Sequence, residues 1–63
     1  MNILVSETDR NSFSKKDLEY MKDVTWISEE EWLKLEETNE VVLMEVDDPE
    51  TNYGFAYNCF IVE

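Results

Sequence analysis

Asp48, Glu50 and Asn52 stand at alternate positions in the run DDPETNYG, the spacing of oxygen ligands with which a calcium-binding loop begins. A loop of the EF-hand kind needs a glycine at its sixth position for a sharp turn and a bidentate glutamate at its twelfth. Counted from Asp48, those positions hold Tyr53 and Cys59, so the run reads as an acidic turn and no metal is expected. Cys59 is the second reactive candidate. A thiol becomes a nucleophile when a neighbouring cation or helix N-terminus lowers its pKa, whereas the surroundings YNCFI are apolar and read as a packed strand. Paired carboxylates occur throughout the chain, but acid–base work needs two whose environments drive their pKa values apart, and 63 residues leave little room for such a cleft. The absence of histidine removes the commonest general base, and with it any Ser-His-Asp or Cys-His arrangement. The single glycine, Gly54, rules out a glycine-rich phosphate loop. No catalytic residue and no cofactor is expected, and the chain does not read as an enzyme.

What remains is charge. Sixteen acids against five bases give a net charge of −11, and the two kinds are unevenly placed. Residues 1–22 balance Glu7, Asp9, Asp17 and Glu19 with Arg10, Lys15, Lys16 and Lys22; from residue 23 onward the only base is Lys34. The whole net charge therefore belongs to the second part of the chain. Self-repulsion of this size opposes compaction and serves solubility or association. It also argues against direct nucleic-acid binding, where lysine and arginine must neutralise phosphates.

The elements that must position these carboxylates are legible in outline. NILVSE is a short apolar run with β-branched character, the pattern of a first strand, followed by a polar loop at TDRNS. FSKKDL and ISEEEW share one grammar: apolar residue, serine, two charged residues, an acid, apolar residue. Each predicts a helix N-terminus, with Ser14 and Ser28 as N-caps, Asp17 and Glu31 three positions on, and the pairs Phe13/Leu18 and Ile27/Trp32 as hydrophobic staples. Helices are expected over roughly 15–22 and 29–38, the second closed by Asn39 as a left-handed cap. EVVLMEV and GFAYNCFIV then read as two strands of a hairpin, with DDPETNY between them. On the second of these, Phe55, Tyr57, Cys59 and Ile61 share one face and Ala56, Asn58, Phe60 and Val62 the other. Both faces are apolar in large part. One layer of helices covers only one face, so a binding surface or a dimer seam is expected on the other. The expected fold is α+β: a single domain over 1–63, an antiparallel hairpin extended by an N-terminal strand, with two short helices on one face in the order β-α-α-β-β. No apolar run approaches the ~20 residues needed to cross a bilayer. The start MNILVSETDR lacks a basic, apolar leader, and a lone cysteine suits a reducing compartment. A cytoplasmic chain with no membrane partner is expected.

The helix starting at Ser28 divides its acids into two groups. Glu29, Glu30 and Glu31 face the positive end of the helix dipole, which stabilises exposed carboxylates by ~0.3–1 kcal/mol each. Glu36, Glu37 and Glu40 lie at the negative end and have no such explanation. Glu30 and Glu37 are about 10.5 Å apart along the axis, close to three phosphate steps of ~3.4 Å on a DNA strand. In charge, size and lack of catalytic groups, the chain resembles the phage-encoded nucleic-acid mimics that inhibit restriction, CRISPR, repair or transcription proteins; the resemblance is one of composition, without an aligned motif. It implies a phage- or mobile-element-type inhibitor occupying the basic groove of a nucleic-acid-binding protein. The partner-binding residues expected on this reading are Glu30, Glu36, Glu37, Glu40, Asp47, Asp48 and Glu50, with Trp26 and Tyr53 as aromatic anchors beside the acidic segments. The alternative is an adaptor or antitoxin-like module that binds through an exposed sheet face or edge.

Overall fold

The structure, a computed structural model, describes residues 1–47 and 54–63. It is a small α+β domain built on one four-stranded mixed sheet. The elements run β1 (Asn2–Ser6), a 3₁₀ helix η1 (Glu7–Ser12), α1 (Lys15–Tyr20), β2 (Val24–Ile27), α2 (Glu29–Glu36), β3 (Val42–Asp47) and β4 (Gly54–Val62). The strand order is β2-β1-β4-β3. β1 pairs parallel with β2, from Ile3 opposite Val24 to Ser6 opposite Ile27. It pairs antiparallel with β4, where Asn2 faces Val62 and Leu4 faces Phe60. β4 pairs with β3 over the rest of its length, from Cys59 opposite Val42 to Gly54 opposite Asp47. The nine residues of β4 span about 30 Å, and six of them, 54–59, lie beyond its pairing with β1. The molecule is correspondingly long, 37 × 20 × 15 Å.

β2 is the element the sequence pattern does not announce, and it changes the layering. A parallel pair cannot be joined by a tight turn and needs a crossover. η1 and α1 form that crossover between β1 and β2 and cover one face of the sheet, called here the inner face. β2 lies at one edge and β3 at the other, so the chain must cross the sheet a second time, and α2 carries it across the opposite face. Register confirms the division. Val5, Met21, Tyr57 and Cys59 form the buried cluster of the inner face, with Ile3, Phe13, Leu18, Val24, Trp26, Met44, Val46 and Phe55 packed around it. Phe60 has the opposite parity on β4, is fully buried, and carries the ring of Trp32 at 4.3 Å between centroids. The two helices therefore cover one face each, where a single layer was expected, and the sheet has one strand more.

Local chemistry explains where the helices start. Ser14 Oγ accepts the backbone N–H of Asp17 at 3.1 Å, and Ser28 Oγ accepts that of Glu31 at 3.2 Å. Both serines have extended backbone and act as the N-caps expected from the repeated hexamer. Ser6 does the same for η1, accepting the N–H of Thr8 at 3.3 Å; the segment expected as a polar loop is this 3₁₀ turn. α2 reaches its cap at Glu37, earlier than expected. Asn39 still closes that end, since its backbone N–H donates to the Leu35 carbonyl at 2.8 Å and its side-chain amide donates to the same oxygen at 3.3 Å. No helix among the described residues is long and apolar enough to cross a membrane.

Candidate functional site: a one-sided acidic surface

The carboxylates are sorted by the sheet. Strand residues directly opposite one another share a face, so the pairs Glu45/Ala56 and Asp47/Gly54 lie on the outer face, together with Leu43/Asn58 and the α2 side of the domain. α2 adds Glu29, Glu30, Glu31 and Glu36 to that side, with Glu37 at its cap and Glu40 in the connection to β3. All of these side chains are exposed. The only base of α2, Lys34, sits 4.0 Å from Glu30, an exposed i,i+4 contact of the kind that contributes little. The inner face is covered by η1 and α1, whose acids Glu7, Asp9, Asp17 and Glu19, with Asp23 just beyond near Tyr57, are nearly matched by Arg10, Lys15, Lys16 and Lys22. The uneven charge along the chain has become an uneven charge across the sheet.

Of the expected partner-binding residues, Glu30, Glu36, Glu37, Glu40 and Asp47 fall on or beside the outer face. Asp48, Glu50 and Tyr53, with Asn52 of the acidic turn, lie outside the described residues. Trp26 is not among the acids. It stands opposite Val5 in the sheet, half-buried on the inner face, 6.4 Å from the ring of Phe13. The guanidinium of Arg10 lies over it at 5.5 Å. The reading of Trp26 as an anchor beside the acidic segments is therefore corrected: a residue of β2 must point to one face, and Trp26 points to the core while Ile27 points outward and is buried on the other side. Trp32, expected as the staple partner of Ile27, is half-buried against Phe60.

Glu45 is the acidic residue that sequence reasoning omitted. Its signal was present, because Leu43, Glu45 and Asp47 alternate with Met44 and Val46 along β3, and the apolar set marks which parity faces the core. Glu45 and Asp47 flank a shallow depression floored by Gly54 and Ala56. The floor is low for a steric reason. A Cβ on Gly54 would meet the Val46 carbonyl oxygen at 2.9 Å and Asp47 Oδ1 at 3.4 Å.

Among the described residues no cation or helix N-terminus is placed to activate Cys59. It is fully buried, and burial pushes its thiol pKa up, away from the thiolate a nucleophile needs. Tyr57 is also raised, first by burial, then by the nearby Cys59 and Asp23. Among the described residues no three His, Cys, Asp or Glu side chains converge as metal ligands.

Comparison with protein-family models, with curated proteins and with solved structures yields no match.

Proposed function

We propose that this chain is a non-enzymatic inhibitor of the phage or mobile-element type, which acts in the cytoplasm by occupying the basic groove of a nucleic-acid-binding protein in place of phosphates. The observation that supports the reading is the segregation of charge. Glu36, Glu37 and Glu40 gain nothing from the helix dipole, yet α2 carries the first two on the same side of the sheet as Glu45 and Asp47, with Glu40 in the connection to β3, opposite a cover of nearly balanced charge. Plain solubility requires net charge and not its confinement to one face. Replacing Glu37, Glu40, Asp47 and Asp48 by the corresponding amides tests it. The fold should stay intact, association with the partner should slow by about tenfold or more, and the salt dependence of the rate should shrink. Nucleic acid should compete with the wild-type protein. The control is the same treatment of Glu29 and Glu31, which the helix dipole already accounts for. Wild-type affinity and salt dependence in the quadruple variant would refute mimicry.

A second reading, the adaptor or antitoxin-like module, is supported by one separate observation. Val41, just before the edge strand β3, and Val42 and Leu43, its first residues, are 45%, 37% and 60% exposed. Substitution of Leu43 by a polar residue should abolish binding on this reading and leave it nearly unchanged on the first.

A further inference from the structure

We propose that the free edge of β3 accepts an extended basic segment of the partner as a fifth strand, one that alternates lysine or arginine with apolar residues. The inference rests on the reading that the partner is basic and adds the manner in which it is held.

β3 is hydrogen-bonded to β4 on one side and is the last strand of the sheet. Its six residues, Val42–Asp47, present about 20 Å of backbone, with every second N–H and C=O directed away from the sheet. Edges of this kind template the addition of another strand unless they are blocked. Among the described residues β3 contains no proline, glycine or lysine, and the charges it carries, Glu45 and Asp47, repel an acidic strand and admit a basic one. The other edge, β2, is shorter, at four residues, and its ends run directly into Ser28 and the α1 turn.

The side chains along β3 specify what would pair with it. On the inner face Val42, Met44 and Val46 continue the apolar core outward, and Val42 remains 37% exposed. An added strand would extend this layer with apolar residues. On the outer face Leu43, Glu45 and Asp47 alternate with them, and an added strand would stand its outward residues beside two carboxylates. Opposite charges across strands stabilise a pair by roughly 0.2–1 kcal/mol, and like charges destabilise it. The complementary segment is therefore apolar on one face and basic on the other. A second copy of this chain offers the wrong charge, since it would bring a further −11 against the same carboxylates.

The test uses isotopically labelled protein and a short capped peptide of alternating valine and lysine. Binding is followed by anisotropy, and protection is followed by amide hydrogen exchange. The expected result is protection at alternate amides within Val42–Asp47 and none at β2. Affinity should drop about tenfold or more for a peptide of the same composition with a central proline, which removes strand hydrogen bonds. It should also drop for the variant Glu45→Lys, and change less for Glu19→Lys, which alters net charge equally but lies on α1. Equal binding of the straight and proline peptides, or equal losses in the two variants, would overturn strand addition. In that case the acidic-surface reading would stand on its own competition test. Absence of peptide binding, or protection of the β3 amides by concentration of the protein alone, would also overturn it; the latter would assign the edge to a second copy.

Discussion

The ring of Trp32 lies 4.3 Å from that of Phe60, a contact that fastens α2 to the sheet. α1 is held differently, by the Phe13, Leu18 and Met21 side chains set into the cluster of Tyr57 and Cys59. Among the described residues this is the ring contact that joins the helix bearing the acidic surface to the sheet. Phe60→Ala should destabilise the domain by about 3–5 kcal/mol, with Trp32→Ala costing less because Trp32 is half-buried. A double-mutant cycle by urea denaturation should give a coupling of ~0.5–1.5 kcal/mol; a coupling near zero would mean that α2 is held elsewhere.

The two serine caps make a matched pair. Ser14→Ala and Ser28→Ala should each lower stability by roughly 0.5–2 kcal/mol, measured by circular dichroism melts. Loss at Ser28 should also expose Trp32, so its fluorescence should shift to the red before the global transition. A Ser28 variant with an unchanged melting temperature would contradict the capping assignment.

Burial holds the Cys59 thiol and the Tyr57 phenol in their protonated forms. The unfolded chain releases these protons first as pH rises. The stability they contribute is therefore complete below the ordinary thiol value of 9.0 and is lost as pH climbs through the raised folded values. Urea midpoints should fall above about pH 9. Cys59→Ala should flatten part of that decline while lowering stability at neutral pH through the cavity it leaves.

Gly54→Ala should destabilise the hairpin by roughly 1–3 kcal/mol, the usual cost of forcing atoms into an occupied space, because the new methyl would press on the Val46 carbonyl. The effect should appear as faster amide exchange in β3 and β4 and leave β2 unchanged.

Self-repulsion predicts a simple salt response. Raising ionic strength from about 0.01 M to about 0.15 M shortens the screening length from about 30 Å to about 8 Å, so the melting temperature should rise. The charge-neutralised variant of Glu37, Glu40, Asp47 and Asp48 should show a smaller rise, as a scanning calorimeter would report.

Helix starts, the hairpin strands and the two-faced pattern of β4 were all legible in the sequence, because each has a local cause: a serine oxygen positioned for an N–H, or a period of two. β2 was not. VTWI is four residues long, it lies between two helix signals, and Ile27 already had a role as a staple. Its pairing with β1 is parallel and so leaves no turn signature. That one omission merged two crossovers into one connection and placed both helices in a single layer. It also misdirected Trp26, whose partners Phe13 and Arg10 come from segments before it in the chain. The acidic surface was legible as a charge imbalance, but the side of the sheet it occupies depended on β2. Glu45 was missed for a different reason: it sits inside the apolar run EVVLMEV, whose composition announces a strand and not a charged face.

Because β1 sits at the centre with β4 as its neighbour, the sheet joins Asn2 to Val62 and assembles only after nearly all of these residues have been synthesised. A ribosome that has released residues 1–47 has exposed Val5 and Trp32 without Cys59 or Phe60 to cover them. Their apolar surfaces are then open to other nascent chains, the circumstance in which aggregation begins. The same carboxylates from residue 23 onward would hold such intermediates apart during translation, well before any partner is met.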